Sequence, residues 1–231
     1  MDTTIREVYD IIALDFDRTR FYVWPIIKKF IDSLPIGCLV GDIGCGNGKN
    51  MYLSRTDIKY KGMDLSSEFV KICINKGLDV VQGNILNIPF EDSMCDNSMS
   101  IAVIHHLSER SNRIKAISEI MRVTKSNGFI LLYVWAFSQP DSSKRKFNSH
   151  DEMVPFKTLS GETYYRYYHL YEAGELESEI NQINQINQIN QINQINQINQ
   201  INQINQINQI KFNIIESGYE YGNYYTIIQK L

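Results

Sequence analysis

Residues 41–49 read Gly41-Asp42-Ile43-Gly44-Cys45-Gly46-Asn47-Gly48-Lys49. The run from Cys38 to Ile43 is short and apolar, the pattern of a buried strand. It ends in three glycines spaced G-x-G-x-G, with an acid two residues before the first. Glycines at a strand end let the backbone turn tightly and approach a ligand closely, and the first turn of a following helix would offer unpaired N–H groups. A dinucleotide fold wants G-x-G-x-x-G, its third glycine serving helix–strand packing. That late glycine is missing here. A second acid, Asp64, ends the next apolar run, Lys59 to Met63. A carboxylate at that position can accept both hydroxyls of a ribose.

Working outward, strands and helices alternate. Lys59 to Met63, Asp79 to Gln82, Asn97 to Val103 and Phe129 to Trp135 read as further strands, and Ser66 to Lys76 and Glu109 to Thr124 as helices. Such an order predicts a parallel sheet with helices on both faces. The first 35 residues carry apolar positions at helical spacing: Ile5, Val8, Ile11 and Ile12, then Ile26, Ile27, Phe30 and Ile31 after a Pro25 suited to a helix first turn. Asp15 to Tyr22 reads as a polar and aromatic connector between them. At the other end, Lys211 to Glu216, a turn at Gly218, and Asn223 to Gln229 read as two strands close in sequence, hence antiparallel.

The G-x-G-x-G loop with its preceding acid resembles the S-adenosylmethionine loop of class I methyltransferases. The fold expected is therefore α/β, a class I Rossmann-like methyltransferase with a mostly parallel seven-stranded sheet and an antiparallel last strand. The competing cofactor, NAD, is disfavoured by the missing glycine and by the terminal hairpin. The cofactor-binding candidates are Asp42, Gly44, Cys45, Gly46, Asn47 and Gly48 in the loop and Asp64 with Leu65 after the second strand. Asn84 and Ile85 follow the third strand, where an amide can reach an adenine amino group and an aliphatic side chain can pack on the ring. Ala102 at the end of the fourth completes the set.

Composition bounds the rest. The chain has 231 residues, 43% hydrophobic and 21% charged, with a formal net charge of −3. It is too apolar for a disordered protein and not basic enough to hold nucleic acid by bulk charge. The longest apolar run, Phe129 to Phe137, is far short of the roughly 20 residues of a membrane span. The N-terminal residues lack a signal-peptide pattern. Cys38, Cys45, Cys73 and Cys95 show no C-x-x-C spacing, so neither a zinc site nor a disulfide framework is expected. Lone thiols suit a reducing compartment, cytoplasmic or also nuclear. One domain, 1–231, is expected, interrupted at 181–210 by repeats of Asn-Gln-Ile. A three-residue apolar period builds no lasting face on a helix or a strand. The tract reads as a low-complexity insertion without chemistry, of the disordered and sometimes β-prone kind, with room for a short helical continuation of Glu175 to Ile180 into it.

Several segments outside the glycine loop resemble the eukaryotic wobble-uridine tRNA methyltransferases, including the methyltransferase domain of the animal AlkB-homologue fusion. They are Val8-Tyr9, Phe16-Asp17-Arg18-Thr19-Arg20, Trp24-Pro25, Ser100-Ile101-Ala102-Val103-Ile104-His105-His106, Tyr133-Val134-Trp135-Ala136, Val154-Pro155-Phe156 and Arg166-Tyr167-Tyr168-His169-Leu170-Tyr171. The family usually has an acid where Asn84 stands. It also often carries a longer, basic stretch in place of the linker from Gln139 to Gly161. The resemblance implies methylation of the carboxymethyl group on carbon 5 of the anticodon wobble uridine. It also implies a small zinc-binding activator subunit docked along a sheet edge, which would be Asp79 to Gln82.

A carboxylate acceptor is already ionised at neutral pH, its pKa being near ~4, so the reaction requires no general base. Positioning is what such an enzyme must supply, worth up to roughly 7–11 kcal/mol in well-aligned cases. Arg20 and Arg166 are candidates to clamp the carboxylate, with surface ion pairs as the alternative. His105 and His106 follow the fourth strand, where one can donate to the acceptor and the other pack inward; structural rings are the alternative. His169 lies in an aromatic run that can line the same mouth. Trp135 can stack an unpaired base or be core. Tyr164, Tyr165, Tyr167 and Tyr168 divide between core and RNA platform. Lys144-Arg145-Lys146 and the group Arg110, Arg113 and Lys115 are the local basic clusters. A small-molecule methyltransferase and a catalytically silent cofactor-binding scaffold are the other functions considered.

Overall fold

The structure, a computed structural model, describes residues 2–183, 185 and 211–231. The reading of the remainder of the Asn-Gln-Ile tract lies outside the described residues. The chain opens with helices α1 (Asp2–Thr19) and α2 (Pro25–Ser33), then alternates β1 (Leu39–Ile43), α3 (Lys49–Tyr52), β2 (Lys59–Asp64), α4 (Ser67–Asn75), β3 (Val80–Gln82), β4 (Asn97–Ile101), α5 (Arg110–Val123) and β5 (Phe129–Trp135). A hairpin follows, β6 (Asp151–Lys157) with β7 (Thr163–His169), then a helix over 175–183 (α6), and finally β8 (Phe212–Glu220) and β9 (Asn223–Lys230). One sheet has the order β3-β2-β1-β4-β5-β9-β8, in which only β9 runs against its neighbours. This is the expected seven-stranded architecture.

Strand β5 shows why helices cover both faces. Ile130, Leu132 and Val134 pack on one side with Ile114, Ile117 and Ile120 of α5. Leu131 and Tyr133 pack on the other with Ile27, Phe30 and Ile31 of α2. Every residue from Ile130 to Val134 is fully buried, so the strand reads as continuous apolar sequence rather than an alternation. Each such side chain contributes about 1.5–3 kcal/mol on burial.

Three expectations change. The segment from Asp15 to Thr19 is not a connector: α1 continues through it, because Phe16 packs on Phe69 and Phe156 rather than turning away. Gly218 is not the terminal turn. It lies within β8, opposite Tyr225, where a Cβ would come 2.5 Å from that residue's hydroxyl, and the turn is made by Tyr221 and Gly222, both at positive φ. The linker from Gln139 to Gly161 contains strand β6, whose alternation of Val154 and Phe156 inward with Met153, Pro155 and Lys157 outward is masked in the sequence by the exposed methionine and proline.

Between β1 and β4 the progression of strands across the sheet reverses, while the strands themselves stay parallel. Ligands of open α/β sheets bind at that switch point, beyond the carboxyl ends of the strands. The largest structural additions, α1 and the β6–β7 hairpin, both pack over that end, with α1 touching α4 and β7.

Candidate active site

Beyond the ends of β1, β2 and β4 lies a cavity of about 390 Å³. Its floor is the glycine loop. Gly44, Gly46 and Gly48 all sit in the left-handed region, at φ 81°, 54° and 75°. The amides of Gly44 and Cys45 both donate to the Met63 carbonyl, at 2.8 and 2.9 Å, which ties the loop to β2. A Cβ on Gly44 would stand 2.3 Å from Val103, and one on Gly48 would stand 2.4 Å from Leu78, whereas one on Gly46 would meet nothing within 4 Å. Close packing thus requires the outer glycines, and Gly46 faces open space. The helix after the loop is a single turn, so the loop amides rather than a long helix terminus face the cavity.

Asp64 accepts from the Gly46 amide at 2.8 Å and from the Ser66 amide at 2.9 Å. Burial raises its pKa to about 6 against the pull of those amides. Asp42 is fully buried behind the loop, and neither carboxylate oxygen has a partner. Burial first, and then the charge of Asp64, push its pKa up to about 7, with Lys49 opposing. An orphaned carboxylate behind a glycine cradle is a place for a cationic ligand group. Leu65, Asn84, Ile85 and Ala102 line the same space. Asn84 Oδ1 accepts from the Leu86 amide at 2.9 Å and so also closes the turn after β3. Ala102 holds φ 61°, an uncommon conformation for a residue with a Cβ, kept by its amide bond to the Tyr133 carbonyl at 2.8 Å.

The roof comes from α1 and the hairpin. Asn47 Nδ2 donates to Asp17 Oδ1 at 2.9 Å and to the Arg20 carbonyl at 2.8 Å, so the cofactor loop grips the end of α1. Lys49 Nζ donates to the Tyr22 carbonyl at 2.8 Å and lies 4.4 Å over the Trp24 ring. Ser66 donates to Asp10 at 2.6 Å. From the hairpin, Phe156, Arg166 and Tyr168 face inward.

Arg166 is 5% exposed, with its guanidinium 5.3 Å from the Phe156 and Tyr168 ring centroids and 5.8 Å from that of Tyr9. Its Nε has no partner, and no described carboxylate pairs with it. Arg20 lies at the rim over Phe16 and Phe156, at 5.6 and 6.0 Å. Of the acceptor-side candidates, Arg20, His106, Trp135 and Arg166 line the cavity.

Four candidates do not line it. Asp42 and Gly48 stand behind the loop. His105 is fully buried beneath the site: the Trp135 amide donates to its Nδ1 at 3.1 Å, and burial with repulsion from His106 keeps the ring neutral. His169 lies on the opposite face of β7 from Arg166 and Tyr168, as strand parity dictates. It bonds Asp151 at 3.0 Å and Glu175 at 2.7 Å, joining the hairpin to α6. The expectation that one ring of the His105–His106 pair donates to an acceptor is not met by His106 either. Its Nδ1 faces the Tyr167 carbonyl at 2.8 Å, which can only accept, so that nitrogen carries the proton. Its Nε2 then accepts from the Tyr9 hydroxyl at 2.8 Å, and burial lowers the ring's pKa to about 3. Trp135 is only 9% exposed, and Arg145 covers its ring at 4.0 Å. Arg113 is no RNA contact: it is 3% exposed and paired with Glu179 at 2.8 Å.

Sequence reasoning assigned no role to Tyr9, Phe156 or Lys49, and placed Arg145 only in a basic run. Their common signal is tertiary, since α1 and the hairpin meet over the loop only in the folded chain.

The strand order, the glycine cradle and the acids in β1 and at the end of β2 define an S-adenosylmethionine-dependent methyltransferase domain. A family model described as "Methyltransferase domain" matches residues 41–132. A methyltransferase structure from Clostridium acetobutylicum superposes with TM-score 0.63 at 13% identity, over 96% of this chain and 98% of that one. In sequence the chain is 38% identical to the tRNA (carboxymethyluridine(34)-5-O)-methyltransferase of Schizosaccharomyces pombe, over 66% of this chain and 67% of that protein. It is 44% identical to the Arabidopsis thaliana enzyme of the same name, over 60% of this chain. The chain belongs to the tRNA (carboxymethyluridine(34)-5-O)-methyltransferase family. It spans 34% of the Arabidopsis protein and 24% of a Xenopus tropicalis relative. A chain of the solved complex between a methyltransferase activator and a methyltransferase of Haloferax volcanii shares the fold, with TM-score 0.51 at 22% identity, over 58% of this chain and 61% of that one.

Proposed function

We propose that this chain methylates the carboxymethyl group on carbon 5 of the tRNA wobble uridine, forming the methyl ester. The observation that carries the reading is Arg166, a buried guanidinium without a carboxylate partner, facing the cavity that the cofactor loop closes from below. A buried charge is stable only when paired, and an anionic acceptor is the missing partner. When bound, S-adenosylmethionine supplies an electrophilic methyl group on a sulfonium. Asp64 is placed to take its ribose and Asp42 to balance its cationic end, while Leu65 and Ile85 offer apolar walls to the adenine. Arg166 holds the acceptor carboxylate, and the rings of Tyr9, Phe156 and Tyr168 exclude water around that pair and strengthen it. His106, with both nitrogens engaged, acts as a positioning residue for Tyr9.

A small zinc-binding activator subunit along β3 belongs to the same proposal. That edge strand is three residues long and among the described residues no strand pairs with its outer side, and the Haloferax volcanii complex includes a methyltransferase activator.

The test is transfer of radiolabelled methyl from S-adenosylmethionine to tRNA lacking wobble methyl esters, with the activator present, followed by mild alkali. Methanol release establishes an ester. Label that resists alkali overturns the acceptor assignment.

A further inference from the structure

The arginines of this chain fall into two groups. Arg6, Arg18, Arg55, Arg110, Arg113 and Arg122 each have a carboxylate within 4.0 Å. Arg20, Arg145 and Arg166 have none among the described residues, and all three line the one cavity. In a chain of net charge −3, surface acids are plentiful, so this segregation is local. The three cations also repel one another. Arg145 is held below the usual arginine range by burial and by the charges of Arg20 and Arg166, while Tyr168 opposes; Arg20 is lowered by burial and by Arg166.

One carboxylate neutralises one of the three. Arg166 is the enclosed one. Arg20 and Arg145 belong to the exposed rim, each laid against rings: Arg20 on Phe16 and Phe156, and Arg145 on Trp135 at 4.0 Å. Among the described residues the side chain of Arg20 makes one hydrogen bond, to its neighbour's carbonyl at 3.3 Å, and that of Arg145 makes none. A guanidinium held over a ring by its charge spends no N–H group on that contact, so its N–H groups can meet two oxygens of a phosphodiester. A nucleotide delivered into a cavity by leaving its stack brings its own 5′ and 3′ phosphates to the mouth. Lys144 and Lys146 flank Arg145 in the same segment.

We infer that Arg20 and Arg145 form a rim clamp for the RNA phosphodiesters flanking the acceptor nucleotide, leaving the acceptor carboxylate to Arg166 alone. This rests on the function proposed above and divides labour within that site: the rim sets register on the RNA, and the floor engages the reacting group.

The test measures binding of the full chain, with S-adenosylhomocysteine, to an anticodon stem-loop RNA carrying carboxymethyluridine, from 50 to 200 mM salt. For single strands each phosphate contact adds about 0.7 to the slope of log affinity against log salt. R20Q and R145Q are each expected to flatten the slope by about that amount, to raise KM for the RNA, and to keep kcat at saturation. R18Q, which removes an exposed arginine paired with Asp15, leaves the slope unchanged. Methylphosphonate linkages flanking the acceptor weaken binding to the unsubstituted chain at least about tenfold and R145Q much less. Unchanged slopes in both rim variants, or equal methylphosphonate sensitivity in R145Q, overturn the clamp. Failure of the functional reading looks different: slopes still flatten in the variants, but label transferred by the unsubstituted chain resists alkali.

Discussion

The Tyr9 hydroxyl donates to His106 Nε2 at 2.8 Å, linking the first helix to the turn after β4 across 97 positions of sequence. The bond holds α1 over the cavity and, with the Tyr167 carbonyl on Nδ1, assigns the imidazole one neutral tautomer. Tyr9→Phe leaves that buried nitrogen without a donor. The expected cost is about 1–3 kcal/mol of stability, read as a lower urea midpoint at unchanged m-value. A midpoint that stays put would mean the bond is dispensable.

Arg166→Met should separate stability from activity. Replacing a buried, unpaired cation with an apolar side chain of similar length is neutral or stabilising, so the melting temperature should hold or rise. Methyl transfer should fall at least about a hundredfold, mostly in kcat. Parallel loss of both would make Arg166 a structural residue.

The three loop glycines should respond differently to alanine. Gly44→Ala forces a Cβ into Val103 and should cost more than about 3 kcal/mol, by overpacking added to left-handed strain. Gly46→Ala carries the strain alone, about 1–2 kcal/mol. It should still fold, yet lose affinity for S-adenosylhomocysteine in calorimetry, because its Cβ enters the open space. Equal thermal destabilisation of the two variants would contradict the packing argument.

Cofactor binding should release protons near neutral pH. Asp42 and Asp64 have raised values, about 7 and about 6. In the ligand-free protein they hold protons that the unfolded chain has already lost, so their contribution to stability grows as pH falls from about 7 toward 4. A cationic ligand favours the ionised forms and weakens as pH falls. Calorimetry at pH 6.5 in buffers of different ionisation enthalpy should show net proton release, reduced in Asp42→Asn. Proton uptake would refute the pairing.

His169 carries the opposite sign. Burial lowers its pKa, but Glu175 and Asp151 outweigh that and raise it. Its bridge between hairpin and α6 is therefore fully present below about pH 6.5 and is lost as pH rises through the higher folded value. His169→Gln should remove that alkaline decline in the melting temperature. An identical pH profile in the variant would show the bridge carries no weight.

The cofactor half of the site was legible because it is local. A strand, three glycines, a second acid and the residues after β3 all fall between Leu39 and Ile85, and each follows from turn geometry or strand-end placement. The parallel part of the sheet followed from the alternation of strands and helices, and the antiparallel strand from the short connection before Asn223. The acceptor half was legible only in composition. Arg20, His106, Trp135 and Arg166 were singled out as residue types suited to an anion and a base, and they do meet at the cavity. His105 and His169 were singled out on the same grounds and do not.

What the amino-acid sequence determined by itself was the sheet, the glycine cradle and the class of cofactor, since all depend on short-range backbone preferences and periodic burial. Only the tertiary structure decided which polar side chains share the cavity. Strand parity turned Arg166 in and His169 out, one-turn geometry after β4 separated His106 from His105, and the packing of Phe16 carried α1 onward so that Arg20 reaches the rim. Which of those faces meets the cavity depends on contacts between distant segments, such as Tyr9 with His106 and Phe16 with Phe156, which no local pattern encodes.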